Sequence, residues 1–127
     1  MIAIVDTSAW LEYFRGSPKA AKLRVLILEG LTKLITLDCC LAELKAVALR
    51  DGLDFAGMFR VIKADSIILP ILQENWLLAA GIRHEMRKKQ PTFGMIDALI
   101  LARQKTLKAH LMTMDSHFKG LKNVILV

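Results

Sequence analysis

The first ten residues, MIAIVDTSAW (residues 1–10), join a short apolar run to a group of polar residues. Ile2–Val5 is apolar and rich in β-branched side chains, which is typical of a buried strand. The polar group begins at Asp6, and side chains of its kind cap the N-terminus of a following helix, here Ala9–Phe14. The stretch therefore predicts a strand that passes directly into a helix, with a carboxylate at the junction.

Apolar runs and helical segments alternate along the rest of the chain. Gly30 and Gly52 are placed to end helices, and Pro18 suits a first helical turn. Strands separated by helices favour an α/β fold with a mainly parallel sheet. The further strands predicted are Lys33–Leu37, Ser66–Leu69, Ala109–Thr113 and Val124–Val127. The further helices predicted are Pro18–Glu29, Cys39–Arg50 with Asp38 as N-cap, Phe55–Lys63, Leu72–Lys89 with Trp76, Leu77, Ala80 and Met86 on one side, and Met95–Thr106.

Length and composition predict a single domain over residues 1–127. Hydrophobic residues make up 54% of the 127, and the mean hydropathy is +0.42. No apolar run reaches the ~18 residues of a membrane span, and residues 1–10 lack the basic region of a signal peptide. We therefore expect a cytoplasmic protein with no membrane partner. A sheet that is apolar on both faces explains most of the excess, and an exposed patch for a protein partner is the alternative.

The chain is basic, with a net charge of +6 and a pI of about 9.6. A basic surface attracts polyanions such as nucleic acids, although many small proteins are basic for no specific reason. One basic stretch leads towards the apolar helix that begins at Met95, and it is interpreted either as an RNA phosphate contact or as a solvated helix end. Its residues are Arg83, Arg87, Lys88 and Lys89.

The two cysteines, Cys39 and Cys40, are adjacent. A bridge between neighbours closes a strained ring and cross-links nothing, so a disulfide framework is not expected. No Cys/His spacing of a zinc site is present in the sequence. Both cysteines are interpreted as small apolar residues in a reducing cytoplasm.

Four acidic residues lie in or beside apolar runs, where a carboxylate is costly unless it is paired, hydrogen-bonded or bound to a metal. For Asp6 and Asp115, which directly follow predicted strands, an ordinary turn or N-cap role is an equal alternative. Glu43 and Asp97 have no lysine or arginine three or four residues away on their helices. Ligands bind beyond the carboxyl ends of parallel strands, so the sequence predicts that the four acids converge on one cation site.

Such an acid cluster favours Mg²⁺ or Mn²⁺, one or two ions, because hard oxygen ligands select these cations over zinc. Two ions ~3.5–4 Å apart stabilise the attacking and leaving oxygens of an in-line displacement at phosphorus. The chemistry predicted is therefore phosphodiester hydrolysis by a metal-activated water. The hydroxyls of Thr7, Ser8 and Thr113 flank the acids and are predicted to hold carboxylates or metal-bound water, or else to cap. His117, two residues from Asp115, is interpreted either as a contact to metal-bound water or substrate or, more typically, as a surface histidine.

Three segments resemble the PIN domain family, and within it the VapC-type toxins of toxin–antitoxin pairs. They are IVDTSAWL (residues 4–11), GMIDALILA (residues 94–102) and LMTMDSHF (residues 111–118). The shorter LAEL (residues 41–44) fits the family's second acidic position. In order and spacing the segments cover nearly the whole chain.

The resemblance implies a three-layer α/β/α fold, with a five-stranded parallel sheet between helices. It also implies an Mg²⁺- or Mn²⁺-dependent endoribonuclease, a homodimer, and inhibition by a cognate antitoxin whose C-terminal segment covers the active site. The catalytic residues implied are Asp6, Glu43, Asp97 and Asp115, with Thr113 as the family's hydroxyl. Asp6 and Asp97 are the first choice as direct metal ligands, and Asp115 and Glu43 complete the site directly or through water.

Two alternatives within the family are a stand-alone PIN nuclease of RNA processing and a module that binds RNA or a protein without cutting. The intact set of acids argues against the second. Two other α/β phosphotransfer folds conflict with the sequence. A haloacid-dehalogenase-type phosphatase needs a second aspartate at position 8, which is Ser8, and a response-regulator receiver needs one after the third strand, where Leu69 precedes Pro70.

Overall fold

A computed structural model gives the architecture of residues 1–126, so the predicted strand end at Val127 lies outside the described residues. Five strands form one sheet in the order β3-β2-β1-β4-β5, and every neighbouring pair is parallel. The strands are β1 (Ile2–Val5), β2 (Lys33–Leu37), β3 (Ile67–Leu69), β4 (His110–Thr113) and β5 (Val124–Leu126). The helices are α1 (Thr7–Phe14), α2 (Ala21–Glu29), α3 (Asp38–Asp51), α4 (Phe55–Asp65), α5 (Gln73–Met86) and α6 (Met95–Leu107). This confirms the predicted α/β fold with its five-stranded parallel sheet.

The sheet separates two layers of helices, because successive side chains of a strand point to opposite faces. Ile4 on β1 packs into a core formed with α5 and α6, which includes Ala79 and Leu99. Its neighbour Val5 packs into a second core formed with α1 to α4, which includes Trp10. Because the strands are buried on both faces, much of the apolar excess of the sequence lies inside the protein.

The strand order contains one topological switch point. The chain builds β1, β2 and β3 outwards in one direction and then returns to place β4 on the other side of β1. In register, Val5 of β1 lies opposite Met112 of β4, and Asp6 N–H donates to the Met112 carbonyl at 3.2 Å. A crevice forms beyond the carboxyl ends of the two strands at such a point, and ligands of open parallel sheets bind there.

Two predictions about the ends of helices need correction. The α5 helix ends at Met86 rather than at Lys89. Asp38 was predicted as the N-cap of α3, but it is the first helical residue, and its Oδ1 accepts a hydrogen bond from Ile71 N–H at 3.1 Å. The partner is supplied by the segment between β3 and α5, which no local sequence pattern of α3 can show.

The apolar side predicted for α5 is not the side that faces the core. Met86 packs against the core, but Trp76 and Leu77 are exposed, at 47% and 72%. Asn75 and Ala79 form the buried face instead, and the Asn75 side-chain carbonyl accepts from Leu72 N–H at 2.8 Å. Packing of α5 on α6 and the sheet therefore leaves an apolar strip on the outside of the protein.

Within residues 1–126, no helix combines the length and the apolar character that crossing a membrane requires. Both cysteines are free thiols, and Cys40 is buried in the core beside Leu37.

Candidate active site

Asp6 and Asp115 follow the neighbouring strands β1 and β4, and so both lie at the switch point. Asp6 caps α1, since its Oδ1 accepts from Ala9 N–H at 3.0 Å, and it is buried, with 4% of its surface exposed. Asp115 caps a short 3-10 turn, Ser116–Phe118, where its Oδ1 accepts from His117 N–H at 2.9 Å. Both residues therefore have the ordinary capping role that was the alternative interpretation of each. The same capping contacts also fix both carboxylates at one edge of the sheet.

Glu43 and Asp97 reach the same edge from two helices. Asp97 lies in the first turn of α6, where its Oδ2 accepts from Gly94 N–H at 3.2 Å. Glu43 lies on the second turn of α3, and its Oε1 accepts from Thr7 Oγ1 at 2.9 Å. Thr7 opens α1 directly after Asp6, so this hydrogen bond ties α3 to the start of α1.

The four carboxylates are close enough to influence one another. Burial raises the pKa of Glu43, the Thr7 hydrogen bond opposes this, and the negative charges of Asp97, Asp6 and Asp115 raise it further. Burial also raises the pKa of Asp6, against three hydrogen bonds that lower it, and Asp115 adds to the rise. The structure therefore brings all four acids predicted from the sequence into one electrostatic cluster.

Two hydroxyl groups connect the strand-end acids. Thr113 Oγ1 donates to Asp6 Oδ2 and accepts from Asp115 N–H at 2.9 Å. Ser8 Oγ donates to Asp6 Oδ1 at 2.7 Å and accepts from Met114 N–H at 2.8 Å. Ser8 and Thr113 thus hold Asp6 in place through both of its oxygens.

No lysine or arginine among residues 1–126 lies within 4.0 Å of a carboxylate oxygen of the cluster. The lysine and arginine ion pairs of that part of the chain join other acids: Arg15 with Glu12, Arg50 with Asp51 and Lys88 with Glu85. Among residues 1–126, the only basic side chain that makes an ion pair with the cluster is a histidine. The negative charge of the acids is therefore not balanced by the permanent cations of the described chain.

That histidine is His117, whose sequence context is more typical of a surface residue than of a site residue. Its Nδ1 lies 3.3 Å from Asp97 Oδ2 and 3.6 Å from Asp115 Oδ1. Ligand atoms of these three residues all lie within 4.8 Å of one another. The 3-10 turn after Asp115 points the side chain back towards the acids, and the spacing of two residues from a capping aspartate is the one signal in the sequence that could have identified it.

The residues whose ligand atoms lie close together are Asp97, Asp115 and His117, whereas the sequence favoured Asp6 and Asp97 as direct ligands. Asp6 accepts hydrogen bonds at both oxygens, whereas Asp97 and Asp115, with His117, already present atoms at the spacing of ligands around an ion. A carboxylate oxygen has two lone pairs: Asp6 Oδ1 uses both, for Ser8 and Ala9, whereas Asp6 Oδ2, which accepts from Thr113, keeps one for a cation. The ranking of Asp6 and Asp97 as direct ligands stays a prediction.

The basic stretch lies beside this edge of the sheet. Arg83 and Arg87 line a cavity of about 310 Å³ together with Met95, the first residue of α6. Arg87 Nε donates to the Phe93 carbonyl at 2.8 Å, and Lys88 is paired with Glu85 at 3.0 Å. Arg83 Nε is buried without a hydrogen-bond partner, and Lys89 is exposed.

Comparisons with known proteins agree with this architecture. The family described as "PIN domain" matches residues 3–124 of the chain. Among curated proteins, no relative matches. Among solved structures, VapBC2 from Rickettsia felis, bound to a DNA fragment from its promoter, is similar with a TM-score of 0.77 and 19% identity over 100% of this chain and 98% of that chain.

Two further solved structures share the fold. A toxin–antitoxin complex from Klebsiella pneumoniae is similar with a TM-score of 0.75 and 21% identity, over 97% of this chain and 95% of that chain. VapC20 of Mycobacterium tuberculosis, a toxin that cleaves the sarcin–ricin loop, is similar with a TM-score of 0.75 and 15% identity, over 96% of each chain.

Proposed function

The chain belongs to the PIN domain family, and from this premise we propose that it is a divalent-metal-dependent endoribonuclease, the toxin of a VapBC-type toxin–antitoxin pair. We further propose that residues 1–127 act as one PIN domain in the cytoplasm. The observation that carries the proposal is the cluster of four mutually repelling carboxylates at the switch point of the sheet, without a lysine or arginine partner in residues 1–126. Such a cluster needs a cation, because like charges at this spacing are otherwise costly.

The donor set fits a divalent cation. Asp97 and Asp115 offer carboxylate oxygens close together, Glu43 is near enough for their charges to raise its pKa, and both oxygens of Asp6 accept hydrogen bonds. The buried His117 Nδ1, which has no hydrogen-bond partner, faces the same point. A bound divalent cation supplies an activated water and neutralises charge that develops on a phosphodiester.

The residues of the chain itself perform the positioning. Ser8 and Thr113 fix the Asp6 carboxylate, and Thr7 fixes that of Glu43. We propose that Arg83 and Arg87, with Lys88 and Lys89, contact the phosphates of the RNA on the side of α6 that faces α5. These contacts hold the backbone in register without reading its sequence.

Cleavage of RNA by the purified chain in the presence of Mg²⁺ or Mn²⁺ tests the proposal. We expect Asp97→Asn to reduce the cleavage rate by a factor of about 100 or more, because it removes one charged donor from the cluster. Asp51→Asn, in an exposed pair with Arg50, is the matched control and should cleave at the normal rate. Full activity of Asp97→Asn, or activity that EDTA does not diminish, would rule the assignment out.

The same assay separates cutting from binding alone, and the presence of a protein inhibitor separates a toxin from a stand-alone nuclease. A module that binds RNA without cutting retains RNA affinity and shows no cleavage with either cation. A stand-alone nuclease of RNA processing cleaves, but has no protein inhibitor. The acids argue for cleavage, since their arrangement costs stability and a binding module gains nothing from it.

An apolar groove supports the antitoxin partner. It has a volume of about 350 Å³ and lies between α1 and α4, with Leu11, Phe14 and Met58 in its lining. Because α1 begins at Thr7, beside the acids, a segment bound along this helix reaches the cluster. We propose that the antitoxin occupies the groove, and copurification of the chain with the product of a short upstream reading frame, lost in Leu53→Glu at a groove residue that is 41% exposed, tests this.

The exposed strip of α5 supports a homodimer. Trp76 and Leu77 lie next to each other on it, and Leu72, 40% exposed, lies one turn before Trp76. Tryptophan is enriched among the residues that contribute most to protein interfaces. We propose that this strip, defined by Leu72, Trp76 and Leu77, packs against its copy in a second chain.

A further inference from the structure

Both the backbone and the ring of His117 have neighbours that position the residue. Its carbonyl accepts from Gln90 Nε2 at 2.9 Å, and its N–H donates to Asp115 Oδ1. Its ring lies 6.1 Å from that of Phe93, which is fully buried. A side chain that merely projected into solvent would not need this amount of support, and His117 is only 34% exposed.

The two ring nitrogens have different surroundings. Nε2 lies 3.2 Å from the hydroxyl oxygen of Thr92, an exposed residue. Nδ1 is buried, makes no hydrogen bond, and faces carboxylate oxygens of Asp97 and Asp115. When Nε2 donates its hydrogen to Thr92, the lone pair of Nδ1 points at two carboxylates, an arrangement that is repulsive unless a cation lies between them.

We propose that His117 is a metal ligand through Nδ1, that it shares the cation with Asp97 and Asp115, and that this nitrogen makes the site select Mn²⁺ over Mg²⁺. The role of His117 rests on the cation site of the proposed function, but it can be tested without RNA. The four acids alone form an all-oxygen site, and the imidazole is the one nitrogen donor that the described residues add to it.

The observed distances suit ligands that share an ion. Neighbouring positions around an octahedral ion with bonds of ~2.1–2.2 Å are about 3 Å apart, and opposite positions are about 4.3 Å apart. The Nδ1 distances of 3.3 Å and 3.6 Å to the two carboxylates are closer to the spacing of neighbouring positions, and small side-chain movements would bring them to it. In most metal-binding histidines the other ring nitrogen donates a hydrogen bond to a neighbouring group, which fixes the tautomer, and Thr92 is placed to accept such a bond from Nε2.

Metal selectivity follows from the chemistry of the donors. Mg²⁺ prefers oxygen ligands and retains its water, so an imidazole adds little to its affinity. Mn²⁺ accepts both carboxylate oxygen and imidazole nitrogen, and it binds nitrogen donors better than Mg²⁺ does. The mixed site of this chain should therefore lose most of its preference for Mn²⁺ when His117 is replaced.

The experiment measures binding of Mn²⁺ alone and Mg²⁺ alone, by isothermal titration calorimetry, to the metal-free full chain. We expect His117→Ala and His117→Gln to weaken Mn²⁺ binding about 10- to 100-fold and Mg²⁺ binding less than about 3-fold. Pulsed electron paramagnetic resonance of the Mn²⁺ complex should show a nitrogen coupling that shifts with ¹⁵N-histidine labelling and disappears in both variants. His84→Ala, which replaces an exposed histidine on α5, should keep the coupling.

The outcomes separate this role from the proposed function. A Mn²⁺ complex without nitrogen coupling, or unchanged or tighter Mn²⁺ binding in both folded variants, would overturn the role of His117, whether or not the chain cleaves RNA. Nitrogen coupling in a chain that cleaves no RNA would leave the role standing and reject the nuclease. Circular dichroism establishes that each variant is folded, and His117→Gln keeps a polar side chain of similar reach if the alanine variant is unstable.

Discussion

At the scale of single residues, the acids show how one side chain serves structure and chemistry together. Asp6 caps α1 and is buried at the sheet edge, where Ser8 and Thr113 satisfy its oxygens. A carboxylate that was only a cap would gain nothing from burial beside Asp115, because desolvation and the neighbouring charge both raise its pKa. The energetic cost of ionising these clustered carboxylates therefore indicates that they serve a functional site.

A first prediction concerns Glu43 in the metal-free protein. Its pKa in the folded state is raised, chiefly by burial, so the native state holds the proton at pH values where the unfolded chain has lost it. Stability should therefore fall as the pH rises from the ordinary glutamate pKa of about 4.3 through the raised folded-state pKa, and the loss should be complete above it. Glu43→Gln keeps the acceptor for Thr7 and removes the charge.

We expect Glu43→Gln in EDTA to raise the melting temperature by roughly 2–4 °C at pH 7 and to change it little at pH 4. The gain is modest because Glu43 is half-buried and solvent screens its charge. Excess Mn²⁺ should reverse the order of the two proteins at pH 7. Glu85→Gln, in an exposed pair with Lys88, is the control, and an equal effect of that variant would contradict the explanation.

At the scale of elements, local sequence patterns identified the six α-helices and five strands of residues 1–126, but neither the 3-10 turn at Ser116–Phe118 nor the orientation of α5. Helical spacing shows that apolar residues share a face, not which face a neighbouring element covers. The buried side of α5 is set by α6 and the sheet, and it includes Asn75, a polar residue that satisfies the backbone at the start of its own helix. Trp76 and Leu77 are left outside for the same reason.

A second prediction follows for the exposed strip of α5. Leu77→Glu should convert a dimer into a folded monomer, because it places a charge in an apolar contact while Leu77 is 72% exposed in the single chain. Leu28→Glu on α2, at a leucine that is 84% exposed, is the matched control and should leave the dimer intact. Sedimentation velocity measures the mass; dissociation by Leu28→Glu alone would place the interface on α2 instead.

At the scale of the whole molecule, RNA binding depends on where the basic residues behind the net charge of +6 lie and on whether they are already paired. Within the basic stretch, Lys88 is paired with Glu85 and Arg87 Nε donates to the Phe93 carbonyl, whereas Arg83 Nε has no hydrogen-bond partner and Lys89 is exposed. Of the four proposed phosphate contacts, Arg83 and Lys89 are therefore the two whose charge is most available to RNA. Binding of single-stranded RNA weakens with salt by a slope of about 0.7 per neutralised phosphate. The salt dependence of the binding constant therefore gives the number of phosphate contacts.

A third prediction uses this slope. In a non-cleaving Asp97→Asn background, we expect the double variant Arg83→Gln, Lys89→Gln to lower the salt slope by roughly 1.4 and to weaken binding equally for different sequences. The double variant Lys19→Gln, Lys22→Gln makes the same change of charge in the region of α2, on the other face of the sheet. Equal losses in the two double variants, measured by fluorescence anisotropy, would show non-specific attraction instead.

The sequence by itself determined the order and type of the elements, the parallel α/β class and the four acids. These depend on local physics: β-branched runs form buried strands, Asp and Ser cap helices, and a carboxylate in an apolar run without a partner signals a special site. Even the family could be recognised from the segments around Asp6, Asp97 and Asp115.

Only the tertiary structure decided what lies next to what. The strand order puts β4 beside β1, and this long-range pairing, which no local pattern encodes, brings Asp115 to Asp6. The same packing turned His117 from a surface residue into a neighbour of the acids, and it left Trp76 exposed. Sequence spacing measures distance along the chain, whereas contacts depend on how the buried faces of distant elements fit together.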